Sequence, residues 1–263
     1  MPCSGPARIG LLQPRLSRYG GAEGFGWRLA QALATAGHEV TFVCGRRETE
    51  PPAGVRVVSL GRPGLTRAGK LLWFALAAER VRRRSGFDVS IGLGRALGQD
   101  IMRVGGGPQE IFWRLSSRAW PPGAPRSMKM LRRRLSPTGL LTGLLEARQL
   151  ARAKRVVAVS HAVAGWLVEA HPWLDPRRLQ VIYNRPDLDA FSPTAPAERQ
   201  AKRQALGLGD ADTVVGFAGT NFRLKGLGPL LEALAGLSRV AAGQSFAHPM
   251  LLVAGERNPG PFQ

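Results

Sequence analysis

A chain of 263 residues with 44% hydrophobic and 21% charged residues has a globular composition and can bury one large core or two smaller ones, which excludes a disordered chain. Lys and Arg number 37 against 18 Asp and Glu, a formal net charge of +19, so an anionic partner is expected: nucleic acid, an anionic membrane surface or a phosphorylated substrate. No apolar run reaches the roughly 18 to 20 residues of a membrane-spanning helix, and Met1 to Pro6 lack the hydrophobic core of a signal peptide. Cys3 and Cys44 flank no metal spacing and read as free thiols in a reducing cytoplasm.

In chain order, Arg8 to Gln13 reads as a strand, followed by a Gly20-Gly21 turn. Ala22 to Ala36 is helical, with Leu29, Ala30, Leu33 and Ala36 on one face and Gly37 as its stop. Val40 to Cys44 is the next strand, and this βαβ unit implies a parallel sheet. Val55 to Leu60 continues the sheet. Arg67 to Arg84 is a helix with Leu71, Leu72, Phe74, Ala75 and Ala78 inward and a basic tail.

Phe87 to Ile91 is a buried strand leading into Gly92-Leu-Gly94-Arg-Ala-Leu-Gly98. That spacing resembles a dinucleotide fingerprint, but the fingerprint needs a helix to begin inside the glycines. Asp100 to Val104 reads instead as extended chain, which argues against NAD. Arg114 to Arg134 interleaves Arg and Lys with Leu115, Trp120, Met128, Met130 and Leu131 and is interrupted by Pro121, Pro122 and Pro125. It reads as a surface loop between two helices, an interfacial membrane patch, or an RNA contact.

Gly139 to Ala151 is helical, Lys154 to Ser160 a strand, and His161 to Ala170 a helix that Ser160 can cap. His161 reads as structural, since no carboxylate or nucleophile is placed against it. Leu179 to Tyr183 is a strand. Asp187-Leu-Asp189 has a metal-binding spacing, but its Pro-rich surroundings favour turn capping, and no metal site is expected. Glu198 to Leu206 is a helix. Thr213 to Ala218 is a buried strand ending at Gly219, Met250 to Ala254 one more. Between them a loop carries Thr220, Asn221, Arg223 and Lys225, and Gly226 opens a run with Leu227, Leu230, Leu231, Leu234 and Leu237 at helical spacing. Strand, polar glycine-flanked loop and helix N-terminus form a geometry that holds a phosphate. An ordinary βα turn with solvated cations is the alternative.

The Val214–Gly226 segment resembles the Lys-Gly loop of the retaining, nucleotide-sugar-dependent group 1 (family 4) glycosyltransferases, of the lipopolysaccharide core glucosyltransferase I type. The resemblance implies that Lys225, with Arg223, contacts the donor diphosphate, and that Gly219, Asn221 and Gly226 shape that donor site. The Gly20-Gly21 turn resembles the family's first glycine loop, which approaches the donor phosphates. Some relatives carry an acid shortly after it; Phe25 stands at the aligned position here, so that role is not transferred to Glu23. Asp100-x-x-Arg103-x-Gly105-Gly106-Gly107 resembles a segment at the floor of the family's cleft, which puts Asp100 and Gln109 at catalytic positions and Arg103 and the three glycines on the acceptor side. Gln109 stands where relatives have a histidine. Asn184 to Pro193 resembles the family's interlobe Asn-Gly-x-Asp segment, with Arg185 replacing the glycine.

The implied architecture is α/β and GT-B-like: an N-terminal Rossmann-like acceptor-side lobe over 1–185 and a partial C-terminal Rossmann-like nucleotide-sugar lobe over 186–263. The implied reaction moves a sugar from a nucleotide diphosphate donor to a lipopolysaccharide core or related glycan, with retention. Cations and a helix N-terminus would stabilise the departing diphosphate without a metal. No cofactor is expected; the nucleotide sugar is a substrate. The other expected partners are a glycan or glycolipid acceptor and an anionic membrane surface, not nucleic acid, with a cytoplasmic location peripheral to the inner membrane face. The family's Glu-x7-Glu segment has no counterpart after Gly226, where only Glu232 and Glu256 occur. The chain as given is therefore expected to be truncated in its second lobe and inactive. A basic membrane- or RNA-binding module that kept the fold without catalysis is the alternative, and a nucleotide-dependent oxidoreductase a third class.

Overall fold

The computed structural model describes residues 5–185, 192–240 and 249–255, with side chains described outside 238–240. Cys3, Asp187, Asp189 and Glu256 lie outside the described residues. The chain divides into two compact units, Met1–Arg118 with Pro122–Asn184, and Ala119–Pro121 with Arg185–Gln263.

The first unit holds β1 (Arg8–Leu12), β2 (Arg15–Leu16), α1 (Gly21–Thr35), β3 (Glu39–Cys44), β4 (Arg46–Arg47), β5 (Val55–Ser59), α2 (Arg67–Arg84), β6 (Val89–Gly92) and β7 (Ile101–Val104). These are followed by α3 (Gln109–Ser116), α4 (Ala124–Leu135), α5 (Pro137–Arg152), β8 (Arg155–Ala158), α6 (His161–Ala170) and β9 (Leu179–Val181). Seven strands pair in the order β5-β3-β1-β6-β7-β8-β9, every pairing parallel. Parallel neighbours need crossovers, and the helices supply them, covering both faces. Alternation along β1 sends Ile9 and Leu11 to one face with Ala30 of α1, Val40 and Phe42, and Leu12 to the other with Phe74 and Ala78 of α2. Met102, Val104, Val156 and Ala158 pack under Leu150 of α5 and Leu167 of α6. Each fully buried Leu or Phe here contributes about 1.5–3 kcal/mol.

Strand order reverses between β1 and β6, because the chain adds β3 and β5 on one side of β1 and β6 to β9 on the other. Open parallel sheets bind ligands at the carboxyl ends of strands beside such a reversal. The Pro14–Gly20 and Leu93–Asp100 loops leave the sheet at that point. Gly98 runs on into β7 with no helix between, so the glycines after β6 do not open a dinucleotide-binding helix.

The second unit pairs β10 (Val214–Gly219) with β11 (Met250–Gly255) in parallel and adds α7 (Pro196–Ala205), α8 (Phe222–Lys225) and α9 (Leu227–Val240). The helical run expected after Gly226 is α9, which begins at Leu227 directly after Gly226 (φ +87°); the polar loop before it is wound into the single turn α8. A side chain would be strained at that φ. The stretch 114–134 is mostly helical, not a loop: Pro125 sits in the first turn of α4, where its missing N–H leaves no bond unmade.

Among the described residues no helix is long and apolar enough to cross a membrane. Cys44 is a buried free thiol; burial, the dominant effect, pushes its pKa up to about 11 against the pull of Arg47. It is unreactive at neutral pH.

Candidate functional site

A cavity of about 380 Å³ opens at the carboxyl ends of β6 and β7, lined among others by Arg95, Arg103, Gly105, Gly106, Gln109 and Glu146. Arg103, on β7, stacks its guanidinium 3.6 Å from the centre of the Phe25 ring and donates from Nη2 to Asn184 Oδ1 at 2.6 Å. Its surroundings strip water from the guanidinium and lower its pKa, though an arginine stays charged. Phe25 thus meets a cation with its aromatic face where some relatives were expected to carry an acid. Gly107 (φ +81°) also lines the cavity and turns the chain from β7 into α3; a Cβ there would lie 3.0 Å from Trp166.

Gln109 is the first residue of α3. Its N–H donates to Glu146 Oε2 at 2.9 Å, and its side-chain Nε2 donates to the Gly139 carbonyl at 2.9 Å. Glu146 reaches from α5 and meets His171 Nε2 with its other oxygen at 3.1 Å. A carboxylate at a helix N-terminus is favoured by the dipole and satisfies a free donor. The amide of Gln109 is neither an acid nor a base at neutral pH; Glu146, which lines the cavity, meets His171 behind it.

Asp100 does not line the cavity. Its Oδ2 accepts from the Ser90 N–H at 2.9 Å and from Ser90 Oγ at 2.6 Å, and its Oδ1 lies 2.8 Å from Lys154 Nζ. Burial raises its pKa, but the Lys154 and Ser90 hydrogen bonds together outweigh that and hold it below the ordinary range. Asp100 does not pair with Arg103, since residues three apart along an extended chain point to opposite faces. Asp100 instead ties the start of β7 to β6 and to the entry of β8.

Gly20 (φ +87°) and Gly21 are exposed at the start of α1, whose N-terminus has no side-chain cap. Gln13, buried below them at the end of β1, donates Nε2 to the Ala22 carbonyl at 3.0 Å.

In the second unit Asn221 caps α8, its Oδ1 accepting from the Leu224 N–H at 3.2 Å. The Lys225 stem crosses Gly219 so closely that a Cβ there would meet Lys225 Cγ at 3.2 Å. Lys225 and Arg223 are both exposed, and the Arg223 guanidinium stands 4.5 Å from the Trp120 ring centre. Gly219, Asn221, Lys225 and Gly226 therefore come together at the carboxyl end of β10. Among the described residues no group of three or more His, Cys, Asp or Glu lies close enough to hold a metal.

Two charged lining residues, Arg95 and Glu146, had no role assigned from sequence. Arg95, which adopts φ +59° and donates Nη1 to Thr142 Oγ1 at 2.6 Å, is hidden between glycines. Glu146 was legible only as the one acid in the helix that became α5.

Residues 19–92, from the Gly20-Gly21 turn through α1 and α2 to the end of β6, match the family model Glycosyltransferase Family 4. That stretch is similar to the family 4 glycosyltransferases. The chain is also similar to the D-inositol 3-phosphate glycosyltransferase of Mycobacterium sp. strain KMS, 36% identical over 126 residues, 45% of this chain and 28% of that protein. The protein of the same name from Segniliparus rotundus is 34% identical over 111 residues, 42% of this chain and 23% of its own length. The matched regions thus span about a quarter of these relatives. WaaG, a glycosyltransferase involved in lipopolysaccharide biosynthesis, has a similar structure, with a TM-score of 0.74 at 16% identity over 93% of this chain and 62% of WaaG. Anabaena HepE, crystallised with UDP and glucose, gives 0.57 at 17% identity over 94% and 61%. The α/β architecture is of the GT-B type.

Proposed function

We propose that the protein is a retaining glycosyltransferase that moves a sugar from a nucleoside diphosphate donor to a hydroxyl of a glycan or glycolipid, a lipopolysaccharide core being the first acceptor to test. The observation that carries this reading is the family 4 match across the Gly20-Gly21 turn and the strand that feeds the Arg95 loop. Site chemistry supports it. Departure of a nucleoside diphosphate needs cations and backbone N–H groups aimed at the developing charge. Lys225, Arg223 and the N-terminal turn of α9 offer these in the second unit, the Gly20-Gly21 turn in the first. HepE structures that hold UDP and UDP-glucose support a uridine nucleotide sugar as the donor to try first. Arg103, Gln109 and Glu146 would line the acceptor side.

Membrane association belongs to the same reading. On α4, Met128, Leu131 and Leu135 are exposed at helical spacing, flanked by Arg132 and Arg134. An apolar stripe beside cations suits the interface of an anionic bilayer, which would bring the protein to a lipid-linked acceptor.

The test is incubation with UDP-glucose and a sugar-nucleotide panel, in the presence of lipopolysaccharide core acceptors, following UDP release and the anomeric configuration of the product by NMR. Donor-derived sugar joined with retained configuration supports the proposal. A product of inverted configuration, or no UDP binding by calorimetry, overturns it.

A further inference from the structure

Beside the cavity described above lies a second one of about 250 Å³, walled by Arg15, Arg62, Arg67, Lys70 and Arg95 and floored by Phe74 and other uncharged residues. No carboxylate lines it. Among the described residues none of the five cations makes an ion pair. Elsewhere the protein does neutralise its arginines, as at Glu79 with Arg82 and Arg83. Five like charges gathered around one small cavity repel one another unless an anion enters.

Placement sharpens the point. The five come from three chain segments: Arg15 follows β1, Arg62, Arg67 and Lys70 lie on the passage from β5 into α2, and Arg95 follows β6, so the fold brings charges distant in sequence to one cavity. Arg67 and Lys70 occupy the first turn of the 18-residue helix α2, which has no acid there. Cations at that end oppose the helix dipole, whereas an anion is favoured by it. Arg95 lines both cavities. A group held in the basic cavity would therefore be one guanidinium away from the space bounded by Arg103, Gln109 and Glu146.

We propose that this basic cavity holds a phosphate monoester carried by the acceptor, with the polyhydroxyl body of that acceptor in the adjoining 380 Å³ cavity. The assignment rests on the glycosyltransferase reading for the word acceptor; the anion site itself rests on the five cations. The phosphate monoester can belong to a soluble sugar phosphate or to a lipid headgroup. A dianion with three free oxygens satisfies several guanidinium forks at once, which a monoanion such as chloride cannot.

The test uses the whole chain and calorimetry at fixed ionic strength with four probes: inorganic phosphate, glucose 6-phosphate, sodium chloride, and vesicles of phosphatidate in phosphatidylcholine. Phosphate and at least one phosphate monoester should bind, and Arg67→Ala/Lys70→Ala should weaken that binding by about tenfold or more. Arg15→Ala/Arg62→Ala, outside α2, should do the same, so a folding defect in one variant does not decide the matter. Arg177→Ala, an exposed control outside the cavity, should leave it unchanged. Binding of glucose 6-phosphate lost in both variants identifies a soluble acceptor. Loss confined to phosphatidate vesicles identifies a headgroup. No phosphate binding, equal binding of chloride, or affinity unchanged in both variants overturns the proposal. UDP titrated into the same samples separates the two readings: UDP binding without phosphate binding sinks the anion site alone, and the reverse sinks the donor reading alone.

Discussion

Glu146 Oε2 accepts the backbone N–H of Gln109 at 2.9 Å, so a carboxylate from α5 closes the N-terminus of α3 across 37 residues of chain. His171 holds the other oxygen at 3.1 Å. Truncation at this position removes a charge-assisted bond to a half-buried amide and leaves the imidazole without its acid. Glu146→Ala should lower stability by about 1.5–3 kcal/mol, read as a fall in the urea midpoint at constant slope. Glu146→Gln keeps an acceptor for the Gln109 N–H and should lose less. Equal losses for the two would show that packing, not the hydrogen bond, matters at the site.

Asp100 should give the first unit an acid-sensitive component. Its pKa in the folded chain lies below the ordinary carboxylate value of about 3.9. The native state therefore favours the charged form, and the stabilisation is fully present above the unfolded pKa. It is lost as pH falls through the folded one. Asp100→Asn should cost about 1.5–3 kcal/mol at pH 7, and the gap from wild type should shrink below about pH 4. A gap independent of pH would mean that the variant acts by shape alone.

How far the sequence shows the fold depends on the length and periodicity of each element. The bounds of the helix over Arg67–Arg84 and of the one over His161–Ala170 were readable to the residue, Ser160 standing ready to cap the second, although Leu72, read as inward, is exposed. The two-residue strands β2 and β4 carry no periodicity and pair only through the tertiary fold. Proline misled at α4, since Pro125 breaks a helix interior but is welcome in a first turn. Of the site, Arg103, Gln109 and the three glycines do gather at one cavity. Asp100 was misplaced because its partners, Ser90 and Lys154, are brought to it by sheet order, which no local pattern encodes. Glu146 and Arg95 escaped for the same reason.

The α4 stripe leads to a vesicle experiment. Met128→Glu/Leu131→Glu puts two like-charged, hydrated groups where apolar side chains are exposed, and should abolish co-sedimentation with phosphatidylglycerol vesicles without loss of helical signal. Each Lys or Arg near an anionic surface adds about 1 kcal/mol, so binding of the parent chain should fall steeply as salt rises. Equal binding to neutral vesicles, or a variant that still sediments, would remove α4 from the interface.

Lys225 carries the most direct test of the donor site. Its side chain is exposed and its stem rests across Gly219 at the end of β10, just before the left-handed Gly226 and the first turn of α9. An exposed lysine contributes little to folding, so its removal isolates the charge. Lys225→Ala should weaken UDP binding by about 1.5–3 kcal/mol, the loss of one charge-assisted hydrogen bond to a phosphate oxygen. Uridine, which lacks the diphosphate, should bind both forms alike. Lys225→Arg should recover part of the loss, because it restores the charge but changes the reach and donor geometry. The decisive comparison is the ratio of UDP to uridine affinity measured by calorimetry. A ratio unchanged in Lys225→Ala would leave this lysine a solvated end of α8 and move the diphosphate contact elsewhere.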